Sequence, residues 1–224
     1  MSVESAFRHG SGAGFELIET MRWEPAAGFL RFERHLDRLY RSASTLGFAC
    51  DPARIGATLT DAVGGAAAPL RVRLALAPNG NCTVSTQPYE PLPSGKVWML
   101  RIAGARLASG DPLVRHKTSR RATYMKARSE FSVEAADEVI LLNERGELCE
   151  GTITNLFVEG GDGTLLTPAL ACGLLPGVLR AELIDAGRAK EAVLTPDDLE
   201  EGRAIYVGNS LRGLIAARLG GPAD

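Results

Sequence analysis

The stretch CEGTITNLF, residues 149–157, places one carboxylate, Glu150, between two apolar segments. Upstream, EVILLN (138–143) reads as a strand and ERGE (144–147) as a turn. Downstream, TNLFVE (154–159) and LLTP (165–168) read as strands on either side of the glycine-rich turn GGDG (160–163). A carboxylate in that setting either edges a hairpin or is buried and needs a cationic partner.

Working outward, LLPGVLR (174–180) opens a helix over PGVLRAELIDAG, with Pro176 and Gly177 at its start and Gly187 at its end. The free N–H groups of Gly177, Val178 and Leu179 face one point in space, and such a helix start binds phosphate without a cationic side chain. Taken alone, the segment is an ordinary helix cap. AIYVGNSLRGL (204–214) reads as a strand running into a turn, with Asn209 and Ser210 as side-chain donors. It is no nucleophile elbow, because Arg212 stands where that motif needs glycine. Upstream lies RHKTSRRATY (115–124), where Lys117 sits between a histidine and a pair of arginines, at the start of a helix expected over 118–131. Backbone donors for a phosphate, an inward carboxylate and a lysine amine are together what pyridoxal phosphate needs: an anchor, a partner for the ring nitrogen and a Schiff-base amine.

The first half of the chain is a separate α/β pattern. FELIETMR (15–22) alternates as a strand. Phe32, Leu36, Leu39, Ala43 and Leu46 then step by four and three along a helix that should end at Gly47. This periodicity puts Arg34, Arg38 and Arg41 on the opposite, solvated face. A second helix is expected over 51–65, capped by Asp51 with Pro52 in its first turn, followed by strands at 70–77 and 82–89 around the turn PNGN. The small, polar ARLASGDP (105–112) reads as a linker, dividing a small domain (1–104) from a larger one (113–224).

The totals exclude several classes. With 224 residues and a formal net charge of −2, the chain has no basic field for nucleic acid or an anionic membrane. It shows no membrane-length apolar run and no signal peptide, so a cytoplasmic protein is expected. Cys50, Cys82, Cys149 and Cys172 are scattered, without a C-x-x-C pair, and only three histidines accompany them. Neither a metal site nor a disulfide framework is expected; buried reduced thiols are. GSGAG (10–14) lacks the preceding strand and following helix of a dinucleotide fingerprint.

From FELIETMR to GNSLRGL the chain resembles the class IV aminotransferases, pyridoxal-phosphate enzymes of fold type IV that include branched-chain and D-amino-acid transaminases and 4-amino-4-deoxychorismate lyase. The resemblance implies an α+β, two-domain fold like that of D-amino acid aminotransferase, with a small α/β domain and a larger pseudo-barrel domain. HKTSRR matches the Schiff-base lysine at Lys117. EGTITNLF matches the E-G-x-x-x-N-[LI]-F block, implying that Glu150 pairs with the pyridine nitrogen. LPGVLR matches the phosphate cup of Val178 and Leu179, and GNS adds Asn209 and Ser210. ERHLDRL matches the helix whose arginine, here Arg38, contacts the cofactor phosphate; this sets the resemblance against the periodicity, and the resemblance is followed. FELIETMRWEP, FERHLDRL, HKTSRR and LACGLLPGVLRAEL look most like aminodeoxychorismate lyases of folate synthesis. Family members usually carry an additional strand before the FELIET equivalent, where about fourteen residues stand here. The implied substrate has two carboxylates, for which Arg71, Arg73 and Arg212 are candidates, each equally readable as a surface residue. A homodimer is implied. A class IV transaminase is the alternative within the same fold, and a catalytically silent homologue the alternative outside it.

Overall fold

The computed structural model describes residues 14–199 and 202–220. Most of GSGAG and the segment before it lie outside them. The chain forms two compact units. One holds the residues up to Pro91 together with His116–Arg120; the other holds Leu92–Arg115 and the residues from Arg121 onward. The chain therefore crosses at 91/92, 115/116 and 120/121, and the expected linker at 105–112 lies inside the second unit. Its first residues continue a strand, Trp98–Leu107, in which Arg106 and Leu107 are in register with Leu142 and Asn143.

In the first unit, β1 (Leu17–Glu24), β2 (Gly28–Phe29), β3 (Leu70–Leu76) and β4 (Cys82–Pro88) form an antiparallel sheet in the order β2-β1-β3-β4. Helix α1 (Phe32–Leu46) and helix α2 (Pro52–Val63) pack on it. Strand alternation sends Val72, Leu74 and Leu76 to one face, where they meet Leu17 and Met21 of β1, Leu39 and Ala43 of α1, and Ile55 and Leu59 of α2. Helix α1 stops at Gly47, whose φ of 73° is the left-handed conformation that ends helices. The Asp51 side chain caps α2 by accepting from the N–H groups of Ala53 and Arg54. Strand β2 pairs only with Trp23 and Glu24, so the far end of that β1 edge is open to another partner. Residues 117–119 take it. Ile18 N donates to Lys117 O at 2.8 Å, Ser119 N donates to Glu16 O at 2.9 Å, and Leu17 bridges Thr118. The helix expected from residue 118 thus begins only at Ala122, because residues before it spend their backbone groups on β1.

In the second unit, β5 (Trp98–Leu107), β6 (Glu138–Asn143), β7 (Leu148–Gly151), β8 (Asn155–Glu159), β9 (Leu165–Pro168), β10 (Ala189–Ala192), β11 (Ile205–Asn209) and β12 (Gly213–Leu219) form one sheet. Its order is β10-β9-β8-β11-β12-β5-β6-β7, with β7 also pairing β8. That last pairing, Glu150 opposite Asn155, closes six strands into a ring. Leu100, Ile140, Leu148, Leu156, Val207 and Ile215 fill one buried cluster of the ring. Two further clusters lie under helices: Ala127 of α3 (Ala122–Ser129) packs with Val139, Leu141 and Cys149, and Leu179 and Leu183 of α4 (Val178–Asp185) pack with Phe157. All four cysteines are free thiols, Cys149 and Cys172 buried and Cys50 and Cys82 half-buried.

Candidate active site

In the first unit the feature that departs most from periodicity is a buried charged cluster. Glu19 belongs to the same strand face as Leu17 and Met21, yet is only 1% exposed. It receives Arg38 Nε on Oε1 at 2.8 Å and Arg38 Nη2 on Oε2 at 2.6 Å, and His35 Nδ1 lies 2.7 Å from Oε2. Burial alone would raise the Glu19 pKa, but the Arg38 charge and the hydrogen bonds from His35 and Arg38 outweigh it and hold the group at about 2. Burial pushes the His35 pKa down, with the Glu19 contacts opposing and the charges of Arg38 and Lys117 adding to the fall. The solvated face expected for Arg38 is therefore corrected. His35, Arg38 and Ser42 step by three and four along the flank of the apolar stripe, so the buried face of α1 is wider than its apolar residues indicate. Ser42 continues the row to the lysine segment, its Oγ 2.9 Å from His116 Nδ1.

Arg71 and Arg73 stand elsewhere. In register with Arg22 and Thr20, they lie on the sheet face opposite Glu19 and the core. Arg71 donates to Gln87 Oε1 at 2.9 Å, Arg73 is 4.0 Å from Glu16, and Arg22 stacks over the Tyr89 ring at 4.2 Å.

In the second unit, Glu150 is 5% exposed and its strand is paired on both sides, so it is the buried carboxylate and not a hairpin edge. Tyr124 Oη donates to Oε1 at 2.7 Å and Leu175 N to the same oxygen at 3.1 Å; Asn155 Nδ2 lies 3.4 Å from Oε2. Burial, then the Glu150 charge, pushes the Tyr124 pKa up, so its hydroxyl stays protonated and donating. Arg121 stacks over the Tyr124 ring at 4.8 Å and donates to Thr152 O.

Asn155 also donates to Leu175 O at 3.1 Å, joining Glu150 to the start of α4. There the closeness of Asn155 dictates glycine: a Cβ on Gly177 would lie 1.8 Å from Asn155 Oδ1. The N-cap residue of α4 is Gly177, which has no side chain to cap the helix, and the first residues after it are Val178 and Leu179. Gly208 in turn admits the Leu179 side chain, which would stand 2.9 Å from its Cβ. The Asn209 carboxamide holds its own turn: Oδ1 accepts from Leu211 N and Arg212 N at 3.1 and 3.0 Å, and Nδ2 donates to Ile153 O at 3.1 Å. Ser210 is buried beside it, and Arg212 lies 5.9 Å from the Trp98 ring centre.

The loop between β7 and β8 is held by a second buried carboxylate. Glu138, 1% exposed, accepts from Thr152 N at 3.0 Å, Thr152 Oγ1 at 2.6 Å, Ile153 N at 3.1 Å, Thr154 Oγ1 at 2.9 Å and Val139 N at 2.8 Å. A Cβ at Gly151 would fall 2.8 Å from this carboxylate, which accounts for the glycine after Glu150. Sequence reasoning assigned no role to Glu19, Glu138, Tyr124 or Asn155. For Glu19 a signal existed, an acid on the apolar face of an alternating strand.

The description Amino-transferase class IV fits residues 16–219 as a family model. The chain belongs to the amino-transferase class IV family. Class IV aminotransferases are pyridoxal-phosphate enzymes acting on small molecules, and the fold is fold type IV. A crystal structure from Mesorhizobium loti, provisionally named an amino-acid aminotransferase, is 64% identical, covers 92% of this chain and 100% of its own, and superposes with a TM-score of 0.90. A protein of Schizosaccharomyces pombe, provisionally named aminodeoxychorismate lyase, is 30% identical over 80% of this chain and 79% of its own. The 4-amino-4-deoxychorismate lyase of Pseudomonas aeruginosa, 24% identical over 98% of this chain and 87% of its own, shares the class IV fold with a TM-score of 0.77.

Proposed function

We propose that the protein is a pyridoxal-phosphate-dependent lyase that converts 4-amino-4-deoxychorismate to 4-aminobenzoate and pyruvate, in the cytoplasm and as a homodimer. The observation that carries the cofactor assignment is in the second unit. A buried carboxylate, Glu150, is tied through Asn155 to a helix start whose N-cap is a glycine, a position where Asn155 leaves no room for a Cβ. That donor set fits the group: the N–H groups of Val178 and Leu179 with Asn209 and Ser210 would hold the phosphate, Arg38 would add a guanidinium, and Glu150 would keep a proton on the ring nitrogen. Lys117 supplies the amine that holds the cofactor until substrate replaces it. When bound, pyridoxal phosphate provides an electron sink for charge left at the carbon bearing the substrate's amine.

Lys117 then takes the proton from that carbon. The neighbouring C–O bond breaks with its electron pair going to the enolpyruvyl oxygen, the ring becomes aromatic, and a proton delivered to the departing enol gives pyruvate. The two products together contain every atom of the substrate, so no acceptor or water is consumed. Arg71, Arg73 and Arg212 are proposed to meet the two substrate carboxylates, and an alanine scan in which none of the three raised KM would remove them. The name of the Schizosaccharomyces pombe relative supports the lyase. The name of the Mesorhizobium loti relative, an amino-acid aminotransferase, favours a second reading, a transaminase, for which branched-chain or D-amino acids are the proposed substrates.

One assay separates the two. Cofactor-loaded protein is given 4-amino-4-deoxychorismate without a keto acid, and pyruvate and 4-aminobenzoate are followed against Lys117→Ala. Repeated turnover lost in the variant supports the lyase. No product, with amino acids instead converting bound cofactor to its amine form, means the transaminase.

A further inference from the structure

Buried ion pairs are a weak source of stability. Desolvating two charges costs about what their attraction returns, and well-packed apolar residues often replace them without loss. The Glu19–Arg38 pair, 1% and 6% exposed and set among Leu17, Met21 and Leu39, therefore calls for another account. Its geometry offers one. Glu19 grips Arg38 side-on, through Nε and Nη2 together, which fixes the plane and the orientation of the guanidinium. His35 holds the same carboxylate from a second side. Strand β1 and helix α1 thus supply a rigid mount for one cation.

We infer that Glu19 is a positioning residue whose two-point grip aims the Arg38 guanidinium at a phosphate group. This rests on the reading above that Arg38 meets the cofactor phosphate. Glu19 touches neither cofactor nor substrate in this scheme; it acts through Arg38. The inference makes a counter-intuitive demand. Glu19 cancels the charge of Arg38, so if net charge governed phosphate affinity, Glu19→Gln would bind phosphate more tightly. If orientation governs, it binds more weakly.

The test titrates the cofactor-free full chain with pyridoxal phosphate and, separately, with pyridoxal, which forms the same bond to lysine without a phosphate. Binding is read from the absorbance of the lysine-bound chromophore. Arg38→Ala and Glu19→Gln are each expected to weaken pyridoxal phosphate binding about tenfold, the loss of one charge-assisted hydrogen bond, and to leave pyridoxal binding within about twofold. Adding Glu19→Gln to Arg38→Ala should cost nothing further, since residues acting through one contact are not additive. Should wild type bind both compounds alike, or Arg38→Ala have no effect, the phosphate reading itself fails. The inference alone is overturned if Arg38→Ala weakens binding while Glu19→Gln leaves it unchanged or tightens it, or if Glu19→Gln weakens both compounds equally, as a structural residue would. Far-ultraviolet circular dichroism checks the fold. Should Glu19→Gln not fold, Glu19→Asp, one methylene shorter with its charge kept, carries the same comparison and is expected to show an intermediate, phosphate-specific loss. Unfolding of both variants would make Glu19 structural and end the proposal.

Discussion

At the residue scale, both ionisable neighbours of Arg38 favour the folded state more as pH rises. Glu19 is held at about 2 against an ordinary 4.5, so its contribution is complete above 4.5 and is lost as pH falls towards 2. His35 is pushed below its ordinary 6.5, so it too costs stability on acidification, starting below 6.5. Urea unfolding from pH 7 down to pH 3 should show stability dropping by a few kcal/mol, and Glu19→Gln should flatten the lower part of that curve. A flat wild-type curve would count against the buried pair. Tyr124→Phe tests a different carboxylate. It deletes the 2.7 Å donor to Glu150 and should destabilise the protein by about 1–3 kcal/mol, visible as a lower urea midpoint at unchanged slope.

At the element scale, alternation and capping signals were legible wherever neighbouring residues decide the structure. The strand EVILLN falls on β6 and the stop at Gly47 is observed, because apolar period and a left-handed glycine are local properties. Strand β5 was not legible: Gly104 and the arginines at 101 and 106 blur its alternation, and its pairing partners are distant in sequence. For the candidate site, the alternatives for Glu150 could be written down but not decided, since burial depends on β8 closing onto β7. Periodicity alone misplaces Arg38 for a related reason: the acid that accommodates it lies on another element. Glycines separate local from non-local demands. Gly47→Ala meets no neighbour within 4 Å and should cost only the left-handed backbone, about 1 kcal/mol. Gly177→Ala drives a methyl group into Asn155 and should cost about 3 kcal/mol or more, a difference thermal unfolding of the two variants would read directly.

At the scale of the whole molecule, the first unit is not continuous in sequence. His116–Arg120, five residues carrying Lys117, belongs to it although the chain on both sides belongs to the second. The Ile18 and Ser119 amides, which hold that segment to β1, should therefore exchange with solvent at similar rates in hydrogen-exchange measurements, since both report release of the same short strand. The segment's strand-like pairing also sets what kinds of genetic change the lysine can survive. Successive side chains of such a segment point to opposite sides, so if β1 retained its partners, one codon inserted between 115 and 116 and accommodated by a slip of one position would turn Lys117 to the wrong side. Most single substitutions nearby leave that parity untouched. If Lys117 holds the cofactor as proposed, a one-codon insertion should abolish attachment of the chromophore, and a two-codon insertion, which restores parity, should recover part of it. On the proposed role of Lys117, the placing of its amine depends on the number of residues that precede it along this edge as well as on their type.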